Sequence, residues 1–336
     1  MRQRIVSSLV ILFSVGVALA VMEVATRIIS NDQTQQIATI PEQWARKPTV
    51  VPGARVAYYW HGALHVLDEN RFRRVTPIVA DNAAFRILVI GDSLTYGTGV
   101  ADEETYSSVI AAELSKQGYR VQVTNLGVEG AQSEDILNIL KNNINVVRPH
   151  LVIYGICLND FLPSGRSQDP IQVPRGLRWS ALAALTVRSL TQAGMKLGLI
   201  KDFISEMMAD LPRLEPRFRK DLTAMNRLVT ERGLPPVVTM VLDQYPTLNG
   251  PTRELALVAE RAGKSAGMDV IPTDEYYRQY DGRALRVSNW EGHPSVEAHG
   301  IFAQMFLSHI AGCCGMKKYS ATGIAPQDQN GPVPAQ

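Results

Sequence analysis

Apolar residues in the middle of the chain occur in short uninterrupted runs, which alternate with longer stretches where apolar positions recur every three or four residues. A short run without polar alternation is typical of a strand buried on both faces. The predicted strands are residues 86–90, 120–124, 151–155, 236–242 and 268–271. The predicted helices are residues 103–117, 133–145, 215–231, 252–266 and 295–311. This alternation predicts a three-layer α/β/α fold, in which helices cover both faces of a parallel sheet.

The N-terminal segment has a different pattern. Arg2 and Arg4 precede an uncharged, mainly apolar run over residues 5–22, which reaches the lower limit of length for crossing a bilayer. Because flanking arginines stay in the cytoplasm, the pattern predicts a single-pass inner-membrane anchor with the remainder in the periplasm. A signal peptide cleaved near Ala20 is the alternative, but apolar residues continue to Ile29 and favour the anchor.

The remaining composition suggests how the chain is divided. The predicted parts are a membrane anchor (1–30), a linker and N-terminal extension with a candidate hairpin (31–84), a catalytic domain (85–318) and a disordered tail (319–336). Residues 161–212 are too many for a simple connection and predict a helical insertion. This insertion is either a lid that shapes substrate choice or a cover for apolar surface.

The first predicted strand ends in Gly91-Asp92-Ser93-Leu94. Open α/β sheets bind their ligands where such strands end, so Ser93 is a candidate nucleophile if a base lies nearby. The simpler interpretation is that Asp-Ser caps a turn after the strand. We expect Asp92 to brace this loop rather than to react.

His293 is the candidate base among six histidines. It lies on a short loop directly before the last predicted helix, and Pro294 suits the first turn of that helix. A general base needs a carboxylate or a carbonyl to orient its ring, and Glu291 precedes His293 by two residues.

Two further loops follow predicted strands. The loop with Gly127 and Gly130 lets backbone N–H groups approach a ligand closely. The strand over 151–155 leads to Asn159 and Asp160, and a neutral amide donor suits an oxyanion hole. We expect Asp160 to cap the following turn by accepting backbone N–H bonds.

These four segments, in this order, resemble the SGNH (GDSL-type) hydrolase family over roughly residues 85–311. The resemblance implies a flavodoxin-like parallel sheet. It also implies that Ser93 is the nucleophile, that His293 is the base, and that the oxyanion hole consists of the Ser93 and Gly130 N–H groups and the Asn159 side chain.

The chain departs from the family pattern at two positions. Cys157 stands where the family has a glycine, two residues before Asn159, and Trp290 stands where the family has the triad aspartate, three residues before His293. We therefore expect Glu291 to complete the triad. A Ser-His dyad oriented by a backbone carbonyl is the alternative.

Composition excludes other classes of function. A net charge of +2 and the lack of a basic tract with interleaved aromatic residues make nucleic-acid binding improbable. The three cysteines have no zinc-ligand spacing, so we expect no metal and no cofactor.

The expected function is an exported serine esterase that removes O-acyl groups, above all O-acetyl groups, from a polysaccharide. Its partners would be an acylated glycan or another ester, and the membrane through the N-terminal helix. An O-acyltransferase, a lipid or lysophospholipid esterase, and a non-catalytic glycan-binding component of an export system remain alternatives.

Overall fold

The computed structural model describes residues 2–34, 56–60, 63–68, 70–77, 85–165, 174–177, 179–243, 250–274, 285–287 and 292–310. Within them, five strands form a parallel sheet: β3 (Phe85–Gly91), β4 (Val121–Gly127), β5 (Leu151–Ile156), β6 (Val238–Val241) and β7 (Asp269–Val270). Their order across the sheet is β4-β3-β5-β6-β7. The predicted strands and the α/β fold class are thus confirmed.

The central strands are apolar because both of their faces are covered. Every residue of β5 is buried, and β3 is buried from Ile87 onward. The helices that follow the sheet strands are α2 (Ser93–Tyr96), α3 (Tyr106–Lys116), α4 (Ser133–Val147), α5 (Ala181–Lys196), α6 (Phe203–Thr230), α7 (Pro251–Ser265) and α8 (Val296–Ile310).

The helices pack in two groups. Helix α3 packs against α8, whereas α6 packs against both α4 and α7. Right-handed crossovers place α3 on one face of the sheet and α4, α6 and α7 on the other, given the strand order. The chain adds β4 on one side of β3 and every later strand on the other side, as in a doubly wound sheet.

Helix α6 begins earlier than the hydrophobic pattern predicts. The pattern predicts a start at residue 215, but the helix runs from Phe203 and contains Pro212 and Pro216 in its interior. Met207, Leu214 and further apolar residues of α6 are buried. Their burial compensates for the backbone hydrogen bonds that the two prolines cannot donate. Residues 203–212, the last part of the predicted insertion 161–212, therefore belong to α6.

A hairpin precedes the sheet. Strands β1 (Val56–Trp60) and β2 (Ala63–Leu67) pair in antiparallel orientation. Arg73, which follows the hairpin, is fully buried and forms an ion pair with the buried carboxylate of Asp102 at 2.9 Å. The N-terminal extension is therefore fastened to the domain near the end of β3.

The N-terminal segment is a continuous helix, α1 (Arg2–Thr34). Glu23 accepts hydrogen bonds from Ser180, Ala181 and Leu182 at the start of α5. Arg27 pairs with Glu23 and donates a second hydrogen bond to the carbonyl oxygen of Trp179.

Across the described ranges, no helix combines the length and the apolar character that a membrane span requires. The structure therefore does not support the predicted transmembrane helix. The predicted tail 319–336 lies outside the described residues.

Candidate active site

Three neighbouring strand ends carry the polar residues that the sequence analysis singled out. Ser93 follows β3, the turn with Gly130 follows β4, and Asn159 follows β5. Because β3 lies between β4 and β5 and all three are parallel, these residues share the carboxyl edge of the sheet. The strand order reverses at this point, which is where open α/β sheets bind ligands.

Ser93 is the first residue of α2, a single helical turn directly after β3. Asp92 is its N-cap, and the carboxylate accepts the N–H of Leu94 at 2.9 Å. The hydroxyl of Ser93 donates to Oδ2 of Asp92 at 3.3 Å. The capping and nucleophile interpretations of this segment are therefore compatible, because the cap fixes the turn that presents the serine.

Gly127 at the end of β4 lets α2 approach the sheet. A Cβ atom on Gly127 would lie 2.2 Å from the backbone nitrogen of Tyr96, in the middle of α2. The side-chain amide of Asn125, also on β4, donates to the carbonyl oxygen of Thr95 at 2.8 Å. The neighbouring strand therefore fixes the position of the turn that carries Ser93.

Gly130 lies on the turn that follows β4. The N–H of Val128 in this turn donates to the carbonyl oxygen of Gly91 at 3.1 Å, which ties the turn to the end of β3. Gly130 has a φ of +69°, in the left-handed region that favours glycine, and a Cβ atom there would meet nothing within 4 Å. The backbone at Gly130 is thus open on the side where a side chain would project.

Asn159 is buried in a 3₁₀ turn (Leu158–Phe161) after β5. Its amide nitrogen donates to Oδ2 of Asp92 at 3.0 Å, which brings Asn159 and Ser93 to the same carboxylate. A primary amide has two N–H groups, so one can hold Asp92 while the other donates to a ligand.

The next residue, Asp160, accepts the Tyr154 hydroxyl at 2.5 Å and the Cys157 N–H at 3.0 Å, so its carboxylate fastens the turn to β5.

His293 lies on a loop that backbone hydrogen bonds hold on both sides. Its carbonyl oxygen accepts the N–H of Val287 at 2.9 Å, and the N–H of Ser295 donates to Leu285 at 2.9 Å. Val287 packs over Gly99, since a Cβ atom on Gly99 would lie 2.8 Å from a Val287 methyl group. The loop with His293 is therefore seated on the segment that leaves α2, six residues after Ser93.

Electrostatic coupling also places His293 at this edge of the sheet. Burial raises the pKa of Asp92, and nearby His293 partly opposes that rise. Burial likewise raises the pKa of Asp160 well above its ordinary value. Burial and the surrounding carboxylates raise the pKa of Cys157, so it remains a neutral thiol at physiological pH. Glu291 lies outside the described residues, so its role as the partner of His293 remains a prediction.

Sequence reasoning missed one acidic residue at this edge. Asp243 follows β6 by two positions, and its carboxylate accepts the N–H of Leu158, in the turn that carries Asn159. Burial raises the pKa of Asp243 to about 6, whereas His293 lowers it. The signal that drew attention to Asn159, a polar residue directly after a buried strand, is also present at Asp243.

A cavity of about 320 Å³ opens beside these residues. It lies at the lower end of the usual volume range for ligand sites. Its lining combines apolar groups from three elements with one carboxylate and one guanidinium, and consists of Leu94, Ile204, Leu242, Asp243, Thr252, Arg286, Gly292 and Pro294. Leu94 is the neighbour of Ser93, and Gly292 and Pro294 flank His293, so the cavity adjoins both candidate catalytic residues.

A serine at a helical N-terminus, an amide from the next strand and a late histidine, all at one sheet edge, are typical of the class of ester hydrolases with a doubly wound fold. Residues 89–301 match the model of the GDSL-like Lipase/Acylhydrolase family. The chain belongs to this family and is a carboxylic ester hydrolase. No curated protein matches the sequence.

Solved structures give distant similarities. A lipase/acylhydrolase from Enterococcus faecalis has 17% sequence identity and a TM-score of 0.46, with 70% of this chain and 99% of that chain covered. The acetylxylan esterase Axe2 from Geobacillus stearothermophilus has 17% identity and a TM-score of 0.43, with 70% and 96% covered. The esterase EstA from Pseudoalteromonas sp. has 14% identity and a TM-score of 0.44, with 68% and 97% covered.

Proposed function

We propose that Ser93 is the nucleophile of this hydrolase and that His293 is its general base. The hydrogen bonds that join Ser93 and Asn159 through Asp92 carry this proposal, because they bring a hydroxyl and a neutral amide donor together beside the His293 loop. His293 takes the proton of the Ser93 hydroxyl as the serine oxygen attacks the ester carbonyl. The tetrahedral intermediate then collapses, and His293 returns the proton to the departing alcohol.

Water completes the reaction. His293 takes a proton from the water molecule, the hydroxide attacks the acyl-serine, and the acid leaves as the Ser93 oxygen recovers its proton. The negative charge of each tetrahedral intermediate is stabilised by N–H groups of Ser93, Gly130 and Asn159. An uncharged donor set suits a site with several buried carboxylates, because it stabilises the oxyanion without forming an ion pair with those carboxylates.

The proposed substrate is a short O-acyl ester, above all an O-acetyl group, on an exported or cell-surface polysaccharide. The cavity beside the candidate catalytic residues, of about 320 Å³, has room for such an acyl group. Transfer of the acyl group to a sugar hydroxyl would use the same acyl-enzyme, with the hydroxyl in place of water.

The proposed location is outside the cytoplasm. The support is the sequence of the first 22 residues, with Arg2 and Arg4 before an uncharged, mainly apolar run. Fractionation of expressing cells and the mass of the mature protein test this: an extracytoplasmic protein of full mass indicates an uncleaved segment, and loss of about twenty residues indicates a signal peptide. A protein found only in the cytoplasm contradicts the proposal.

Covalent labelling tests the nucleophile directly. A fluorophosphonate probe reacts with an activated serine and needs no knowledge of the natural substrate. We expect labelling of the wild-type protein and at most trace labelling of Ser93→Ala, with loss of p-nitrophenyl acetate hydrolysis in the same variant. Thr95→Ser, which keeps a hydroxyl two residues away, is the matched control and retains labelling. Wild-type hydrolysis by Ser93→Ala contradicts the proposal.

Acetate release from an acetylated glycan, measured with and without an unacetylated acceptor, distinguishes hydrolysis from transfer. Hydrolysis gives free acetate at the same rate in both conditions. Acetyl transfer instead produces acetylated acceptor at the expense of free acetate.

A further inference from the structure

Asp243 lies between the two halves of the proposed catalytic machinery. It follows β6, and in the sheet β6 stands between β5, which leads to Asn159, and β7, after which the chain leads to His293. Since parallel strands end at the same edge, a carboxylate after β6 is placed to reach both neighbouring loops. This position is fixed by the strand order and not by closeness to His293 in the sequence.

The contacts of Asp243 reach the turn that carries Asn159. Its Oδ2 accepts the N–H of Leu158, and its carboxylate also forms a hydrogen bond with the Cys157 side chain at the start of that turn. The side chain of Asp243 lines the cavity that is also lined by Gly292 and Pro294, the two residues on either side of His293. An acceptor that faces the His293 loop is what an imidazole N–H needs in order to be oriented.

We propose that Asp243, rather than Glu291, is the carboxylate that orients the His293 ring and stabilises its charge when Ser93 gives up its proton. This inference rests on the proposed function, because it assumes that His293 is the general base. Asp243 is thus a positioning residue that acts through His293. The chain replaces the acid three residues before His293 by Trp290 and supplies a carboxylate from β6 instead.

The other two buried acids at this edge, Asp92 and Asp160, do not line the cavity beside His293. Asp92 accepts hydrogen bonds from Leu94, Asn159 and Ser93, and so holds the turn of the nucleophile. Asp160 accepts hydrogen bonds from Tyr154 and Cys157. Coupling between His293 and Asp243 agrees with the geometry, since His293 lowers the pKa of Asp243 against the rise that burial causes.

Several other ionisable groups lie near this pair, on the surrounding elements. They are Asp92 after β3, Cys157 and Asp160 after β5, Arg286 at the cavity wall, and His299 on α8.

Asp243→Asn separates the charge of this residue from its anchoring role. The asparagine oxygen can still accept the Leu158 N–H, but the variant cannot balance a positive imidazolium. We expect the kcat/KM for p-nitrophenyl acetate to fall at least about a hundredfold. We also expect the acid limb of its pH profile, which reports the base, to move to lower pH because the imidazolium loses its counter-charge.

Three further variants complete the test. Glu291→Gln should stay within about threefold of wild type. Asp243→Glu keeps a carboxylate on a longer side chain, so it should retain part of the activity with the acid limb of the wild type. If Asp243→Asn does not fold, Asp243→Glu still tests whether a carboxylate at this position acts on His293. Asp269→Asn removes an exposed carboxylate at the opposite end of the neighbouring strand β7 and should behave as wild type.

Two results overturn the inference. One is an Asp243→Asn variant within threefold of wild type while Glu291→Gln loses activity. The other is a loss in Asp243→Asn without any movement of the acid limb, which would indicate that Asp243 only anchors the Asn159 turn. Both differ from failure of the proposed function, in which Ser93→Ala keeps its activity and its fluorophosphonate labelling.

Discussion

Asp92 has two tasks at the residue scale, and each of them uses one of its two carboxylate oxygens. One oxygen caps the helical turn of the nucleophile, and the other receives both the Ser93 hydroxyl and the Asn159 amide. In the proposed mechanism the Ser93 hydroxyl gives its proton to His293, so it must first release its hydrogen bond to Asp92.

Asn159 provides the sharpest test at this scale. Asn159→Ala removes an oxyanion donor and should lower kcat about a hundred- to a thousandfold while KM changes little. Steady-state hydrolysis of p-nitrophenyl acetate measures both constants.

Asn226→Ala is the matched control for Asn159. Asn226 is also a buried amide, but it bonds to the backbone of Ala266 and Val237 away from the site. Its removal should lower the melting temperature and leave kcat unchanged. Equal loss of kcat in the two variants would contradict the assignment of Asn159.

At the scale of the elements, the carboxylate of Asp102 joins the N-terminal hairpin to the segment that follows α2. Asp102 pairs with Arg73 and Arg74 and also accepts the N–H of Val66 on β2. Arg73 donates further to the carbonyl oxygen of Val100 at 2.7 Å. The segment that leaves α2 is therefore fastened to the extension that precedes the domain.

Asp102→Ala should be strongly destabilising, because it leaves the fully buried guanidinium of Arg73 without its counter-charge. The expected loss in the free energy of unfolding is about 3–5 kcal/mol. Denaturant unfolding measures this loss. Glu113→Ala, which breaks the exposed pair with Lys116, should cost no more than about 1 kcal/mol. Similar losses in the two variants would indicate that Arg73 finds another partner.

An element could be predicted from the sequence where its own residues carry the pattern that its burial requires. The strands β3 and β5 were predicted because burial on both faces produces runs without polar residues. The start of α6 was missed because Pro212 and Pro216 suggest a break that only tertiary packing overcomes. Asp243 was missed because the search for an acid stayed near His293 in the sequence, whereas strand order brings the two together.

At the scale of the whole molecule, one buried histidine couples stability to pH. His299 on α8 accepts the N–H of Tyr106 at the start of α3 and so joins the two helices on one face of the sheet. Burial, with smaller contributions from Arg73 and His293, lowers the pKa of His299 to about 3. The folded protein therefore holds His299 neutral in a pH range where the unfolded chain binds a proton.

The sign of this effect follows from proton linkage. The stability contributed by neutral His299 is complete above its ordinary pKa and is lost as the pH falls toward about 3. Between pH 6.5 and 4.5 the loss is on the order of 2–3 kcal/mol. His299→Gln, whose amide oxygen can still accept the Tyr106 N–H, should lack this part of the acid sensitivity. Thermal melts from pH 7.5 to 4.5 measure it, and parallel curves for the two proteins would contradict it.

The glycine at the end of β4 has a consequence for how this enzyme can vary. Gly127 has no reactive group and belongs to a different strand from the nucleophile, yet its bare Cα sets how near α2 can lie to the sheet. Any larger residue at position 127 would displace α2 and, with it, Ser93. The Ser93 hydroxyl, the His293 imidazole and the Asn159 amide would nevertheless all remain in the chain. A protein of this family could therefore keep every residue of its active-site motifs and still be inactive, because one methyl group was added at the end of the neighbouring strand β4.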